Sequence, residues 1–440
     1  MTEPTIQKRP TAKIRQNIAA NTLMSGVMLI YPIACVPVLI SSWGVERYGE
    51  WLILLSVTSY FQLADLGLNT STANSVVIAR LNGQLARVRS LVLNNILFIS
   101  ATFALLLAIV AIALKLEWFT SILGNTSVLD GSLDSCVLMV LFQTYIGMLT
   151  NLLGGLYRAN DSYATGVMVD NFIRISEYAV SLSLAMMGGA ALIVLQGGVI
   201  VKCLGLLVKA MRIQTQMKRE TRYSAIDLSL SEVRCELRPS LAFVMFPVSG
   251  MVTNSAPLLI INATLGSTMV VLFGTMRTFV NTSKVFVDIV QRSIWPEITR
   301  LYAVGQIDII QNVYHRTLLF AVGVSAAVAV PLLLWGGAIY NSWTGNATSW
   351  DAPLGIALAF AGISSSASAT GTMVLQAMNA HQKIAYITLA STAIGVFLLV
   401  TISLTFPIEY IPCSHVASEV AIAYFAHKLI RRTLAATSNP

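Results

Sequence analysis

Runs of about twenty mostly apolar residues, each matching the hydrocarbon thickness of a bilayer, recur along the whole chain. They fall near residues 17–41, 48–78, 91–114, 135–156, 164–187, 190–209, 239–261, 267–290, 317–338, 353–377, 384–404 and 408–427. In 440 residues only 11% are charged and 55% are hydrophobic, too few charges to cover an aqueous surface. The sequence therefore predicts an all-α polytopic membrane protein of about twelve transmembrane helices. The first run, from Ile18 to Ile40, is too long for a cleavable signal core and reads as a first span.

Charge placement sets the expected topology. With both termini cytoplasmic, 22 of the 28 lysines and arginines fall on the cytoplasmic side, and only Arg47 and Lys115 lie in loops on the other. The loop from Lys115 to Asp134 is expected outside. The net charge of +8 thus reads as a membrane-topology signal and implies no nucleic acid. The stretch from Lys209 to Arg238, basic and polar, reads as a linker between halves. The division is residues 1–210 as an N-terminal six-helix lobe, 211–238 as a cytoplasmic linker and 239–440 as a C-terminal six-helix lobe. Short matches link the halves: Pro37 with Pro257 and Arg80 with Arg300, 220 apart, Gly83-Gln84 with Gly305-Gln306, 222 apart, and Leu156 and Asn160 with Leu375 and Asn379, 219 apart. Six spans per unit is even, so the lobes should be related by a pseudo-twofold axis along the membrane normal, with a cavity between them.

Charges inside spans are costly and mark function or a partner. Arg277, Asn281, Lys284 and Asp288 share one helical face, with Arg277 about 15 Å deep. Asp170, Arg174 and Glu177 form a similar face, with Arg174 at about the same depth. Two arginines, one per half, could converge on an anion. The bland alternative is local neutralisation through the i,i+4 pairs Asp170–Arg174 and Lys284–Asp288. Lys202 is expected to snorkel to the headgroups, Asp65 to cap or hinge a helix, and His415 with Glu419 to form an i,i+4 pair that could hold a proton. The five cysteines and four histidines are scattered, with neither disulfide nor metal-ligand spacing. No phosphate-binding glycine loop of the GxxxxGK[ST] kind occurs, so no cofactor is expected.

Asn17 and Asn21, the segments Tyr48-Gly-Glu-Trp51 and Leu63-Ala-Asp-Leu-Gly-Leu68, and Pro296-Glu-Ile-Thr-Arg-Leu301 resemble Wzx-type O-antigen flippases. These are polysaccharide transporters of the multidrug/oligosaccharidyl-lipid/polysaccharide flippase superfamily. The resemblance implies two lobes forming a V in a bacterial inner membrane, and a cargo that is an undecaprenyl-diphosphate-linked oligosaccharide. It also implies membrane lipids and other polysaccharide-assembly membrane proteins as partners. By depth and face, the lumen contacts fall to Arg277, Arg174, Lys284 and Asn281, with Asp65, Glu177, Asp288 and Glu419 as lumen or coupling residues. A drug or cation antiporter of the same superfamily is the first rival, for which acidic lumen residues should dominate. A membrane-embedded glycosyltransferase or polymerase is the second. No long outside loop or dense acidic site supports it, so the protein is read as no enzyme.

Overall fold

A computed structural model describes residues 11–62, 68–118, 133–160, 162–217, 230–303, 305–378 and 380–438. The elements are α1 (Thr11–Phe61), α2 (Leu68–Leu81), α3 (Leu85–Lys115), α4 (Leu133–Ala159), α5 (Tyr163–Met186), α6 (Ala191–Met217), α7 (Leu230–Leu265), α8 (Ser267–Val280), α9 (Thr282–Ala303), α10 (Ile307–Trp343), α11 (Ala352–Ala377), α12 (Gln382–Thr405) and α13 (Ile411–Ser438). No strand occurs among the described residues. Eight helical stretches are long and apolar enough to cross a membrane by length and composition alone. α5, with Asp170, Arg174 and Glu177, and α13, rich in polar residues, are not among these eight. α1 folds back at Gly44 and so supplies two crossings, and α8 with α9 supplies one. The architecture is thus the expected polytopic helical one.

The repeat is real, but glycines set its register. Gly44 (φ 79°, ψ 172°) turns the chain between the two arms of α1, and Gly266 (φ 88°, ψ 170°) turns it between α7 and α8. Gly83 (φ 71°) and Gly305 (φ 72°) begin the next turn in each half, again 222 residues apart. These φ values are open to glycine and strained for other residues. The hydrogen bonds repeat as well: Gly83 N donates to Arg80 O and Gln84 N to Ala79 O, while Gly305 N donates to Tyr302 O and Gln306 N to Leu301 O. Arg80 therefore answers to Tyr302, and the pairings Arg80–Arg300 and Pro37–Pro257 are two residues out of register. A rare backbone geometry is a stricter marker than a shared side chain. Asn379, half of the third match, lies outside the described residues.

One helix boundary differs from expectation. The second span is helical to Phe61 and again from Leu68, and Asp65 lies outside the described residues. The linker expected at 211–238 is helical at both ends, to Met217 and from Leu230, with 218–229 outside the described residues. Basic residues cost little in a helix that leaves the membrane, so charge alone did not mark where the helix stopped.

The halves share one apolar core at the end opposite the basic residues. Tyr48, Trp51 and Leu54 of α1 belong to the same buried cluster as Ile261, Val271 and Met276 of α7 and α8. At the basic end each half has its own cluster, around Val76, Leu91 and Tyr157 in the first and around Ile298, Tyr314 and Val374 in the second. The closest approach is backbone on backbone: a Cβ at Gly49 would lie 2.7 Å from Ser267 O, so only glycine seats α1 against α8 there. Trp343 Nε1 donates to Ile33 O at 2.7 Å, and the hydroxyls of Ser59 and Ser255 meet at 2.5 Å.

Candidate functional site

A cavity of about 560 Å³ opens inside the first half. α1 contributes Tyr31, Thr58 and Gln62; α4 contributes Gln143, Thr144 and Asn151; α5 contributes Asp170, Arg174, Glu177 and Tyr178; α6 contributes Lys202. The spacing of four and three residues along α5 does bring its three charges to one cavity. Tyr31 and Tyr178 stack with ring centroids 3.4 Å apart and planes 12° apart.

The acids here are paired across helices, not along α5. Lys209 of α6 reaches Asp170 at 2.5 Å and donates to Thr150 O at 3.0 Å, with none of its side chain exposed. Lys202 reaches Glu177 at 2.9 Å, and Gln143 Nε2 donates to the same carboxylate at 2.6 Å. Lys202 therefore does not snorkel, Lys209 is buried against α4 and α5, and the close ion pair of Asp170 is with Lys209, Arg174 acting on it from farther away. For Asp170 the lysine one helix away lies closer than Arg174, its i,i+4 neighbour. Arg174 has no ion pair among the described residues.

Arg277 sits elsewhere. A pocket of about 40 Å³ in the second half, with room for little more than water, is lined by Asn254, Pro257, Phe273, Arg277, Asn281, Lys284, Ser414 and His415. Arg277 Nη1 donates to Asn254 O at 2.7 Å, and its guanidinium lies 5.5 Å from the centre of the Phe273 ring. Asn254 Nδ2 in turn donates to Gly250 O at 2.7 Å. The face Arg277–Asn281–Lys284 survives a break at Asn281, where α8 ends and Lys284 N donates to Asn281 O at 3.0 Å. Asp288 is exposed, and no ion pair joins it to Lys284 among the described residues. His415 Nε2 lies 3.7 Å from Glu419, which also accepts from Ser368. No described cavity is lined by both Arg174 and Arg277. No group of three metal-ligating side chains occurs among the described residues.

Sequence reasoning missed Lys209, Gln143 and Asn254. Gln143, an amide inside the run Val140-Leu-Phe-Gln-Thr144, carried a legible signal: a polar group that must find a partner in hydrocarbon. Lys209, near the end of a run, did not.

No protein-family model and no curated protein matches the sequence. Solved structures do. A multidrug resistance MATE family transporter of the MOP superfamily, in an inward-facing conformation, aligns with a TM-score of 0.67 at 12% identity, covering 95% of this chain and 99% of that one. The Vibrio cholerae MATE transporter VcmN in the bent form aligns at 0.60 and 16% identity, covering 97% and 98%. A MATE in the straight conformation aligns at 0.56 and 14% identity, covering 98% and 97%. The chain has the fold of these transporters. At such identities the residues in its cavities are its own.

Proposed function

We propose that this protein is an alternating-access transporter of a bacterial inner membrane that carries an amphiphile with an anionic head, an undecaprenyl-diphosphate-linked oligosaccharide. The two lobes, 1–210 and 239–440, would rock about the apolar cluster they share. The observation that carries the reading is the charge left over inside the membrane. Asp170 and Glu177 are each matched by a lysine. Arg174, Arg277 and Lys284 have no carboxylate within 4 Å among the described residues. Lys284 feels Glu419 and Asp288, and Arg174 feels Asp170, only from beyond that distance; cations without a close partner at that depth are costly unless an anion visits them. Guanidinium groups bind phosphate oxygens in a fork.

The sugar-bearing head would occupy the first half's cavity, where Gln62, Gln143 and Asn151 offer neutral hydrogen-bonding groups. The polyprenyl tail would stay in lipid. With the lobes bound at one end, the cargo would enter from the basic end, taken as cytoplasmic. Other polysaccharide-assembly proteins would be its natural partners.

A second reading, a drug or cation antiporter, is favoured by the names of the solved structures, one of them a multidrug transporter. The carboxylates of Asp170 and Glu177 in the larger cavity also suit a cation. The two readings separate in proteoliposomes. Translocation of a lipid-linked glycan diphosphate, lost on Arg174→Glu or Arg277→Glu at normal protein level, supports the flippase. Extrusion of a cationic dye, lost on Glu177→Gln and unaffected by the arginine variants, would replace it with the antiporter.

A further inference from the structure

A groove of about 840 Å³ on the outer face of the second half, between α11 and α13, has no role in either reading. Its walls are Pro353, Ile356, Ala357 and Phe360 of α11 and Cys413, Val416, Ala417 and Val420 of α13, apart from Glu409 and Tyr410 at one end. We propose that this groove binds one acyl chain of a phospholipid with a primary amine head, whose ammonium meets Glu409.

Length identifies the occupant class. The α13 wall with its leading turn runs from Glu409 to Val420, about 16 Å, and the α11 wall from Pro353 to Phe360, about 10 Å at the helical rise, so the groove spans no more than one leaflet of a hydrocarbon core about 30 Å thick. A partner transmembrane helix needs the full thickness; one acyl chain needs half. The polar end lies at the turn between α12 and α13, where Phe406 and Tyr410 pair at 5.6 Å, the placement of aromatic side chains at a membrane interface. Charge identifies the head. Glu409 is half-buried and has no hydrogen bond or ion pair among the described residues. A carboxylate at the mouth of a hydrocarbon groove favours an ammonium and disfavours an anionic head.

The groove also has a neighbour that matters. Cys413, Val416, Ala417 and Val420 occupy one face of α13, while Ser414 and His415 turn toward the Arg277 pocket. A lipid seated on one face would brace the helix that carries His415 and Glu419 on the other. This inference is independent of the cargo.

Native mass spectrometry of the full chain, delipidated in detergent and titrated with phosphatidylethanolamine or phosphatidylglycerol of matched chains, tests it. Wild type should retain the ethanolamine lipid about two- to fivefold more, the scale of one ion pair at a water-exposed rim. Glu409→Gln should erase the preference without changing lipid-free melting, and Ala417→Trp should lose both lipids. Bimane on Cys413, in a chain with the other cysteines replaced, should be quenched by ethanolamine lipid brominated on its acyl chain; this reads the site even if Ala417→Trp does not fold. Equal retention of the two lipids, a preference that survives Glu409→Gln, unquenched bimane, or a dimer free of lipid would overturn the proposal.

Discussion

The two halves share their backbone turns and handle buried charge in opposite ways. In the first half the two acids of α5, Asp170 and Glu177, are each bound by a lysine of α6, and the hydrogen bonds of Thr150 and Gln143 complete the sets. In the second, Arg277 leans on a main-chain carbonyl and an aromatic ring. A carboxylate partner cancels a charge, whereas a carbonyl only solvates it. In the first half Asp170 and Glu177 are held in close ion pairs, whereas in the second Glu419 and Asp288 act on Lys284 only from beyond ion-pair distance. Under the proposed function, that difference would put attraction for an anion in the second half and room for a bulky head in the first.

The sharpest way to break this contrast is to remove one partner at a time. Lys209→Met should cost about 3 kcal/mol of stability, toward the low end for a broken buried pair, because Asp170 keeps 33% of its side chain exposed. The double variant Lys209→Met with Asp170→Leu should regain most of it. Thermal unfolding of the detergent-solubilised protein measures both, and a single variant as stable as wild type would show that the pair is not structural. Arg277→Ala should cost less, about 1–2 kcal/mol for one charged hydrogen bond to a carbonyl, yet should remove transport. Arg277→Lys should restore part of it, since charge remains and the fork is lost. Surface glycan display normalised to membrane protein level reads this out; normal display by Arg277→Glu would move the anion site to Arg174 and Lys284. The smallest effect belongs to Lys202→Met, under about 1 kcal/mol, because Lys202 is 26% exposed and Glu177 keeps Gln143. A loss equal to that of Lys209→Met would mean that the two pairs in this cavity are energetically alike.

Much of this was readable in the sequence, for a physical reason. A bilayer enforces long apolar helices and sorts basic residues to one side, so spans and the even, repeated plan follow from local composition. The faces of α5 and α8 followed from helical spacing, and Asp170, Arg174 and Glu177 do share a cavity. Pairing did not follow. Whether Asp170 meets Arg174 on its own helix or Lys209 on the next depends on how α5 packs against α6, which no local pattern encodes. The same holds for Arg174 and Arg277: equal depth in two helices says nothing about whether their faces turn toward one space, and they line different ones. The register of the repeat was half legible: Gly83-Gln84 matches Gly305-Gln306 at an offset of 222, but matches at 220 and 219 compete with it, and only the backbone shows which pair shares a left-handed turn.

The pairing of α5 with α6 also bears on how the chain enters the bilayer. α5 is not among the helices apolar enough to cross by itself. An aspartate or arginine at the centre of an inserting helix is penalised by roughly 2.5–3.5 kcal/mol, and α5 carries Asp170, Arg174 and Glu177. α6, only a few residues downstream after Met186, brings the two lysines that cancel the acids. During synthesis α5 would therefore wait at the insertion machinery until α6 has emerged, and the two would partition into lipid together as a helical hairpin.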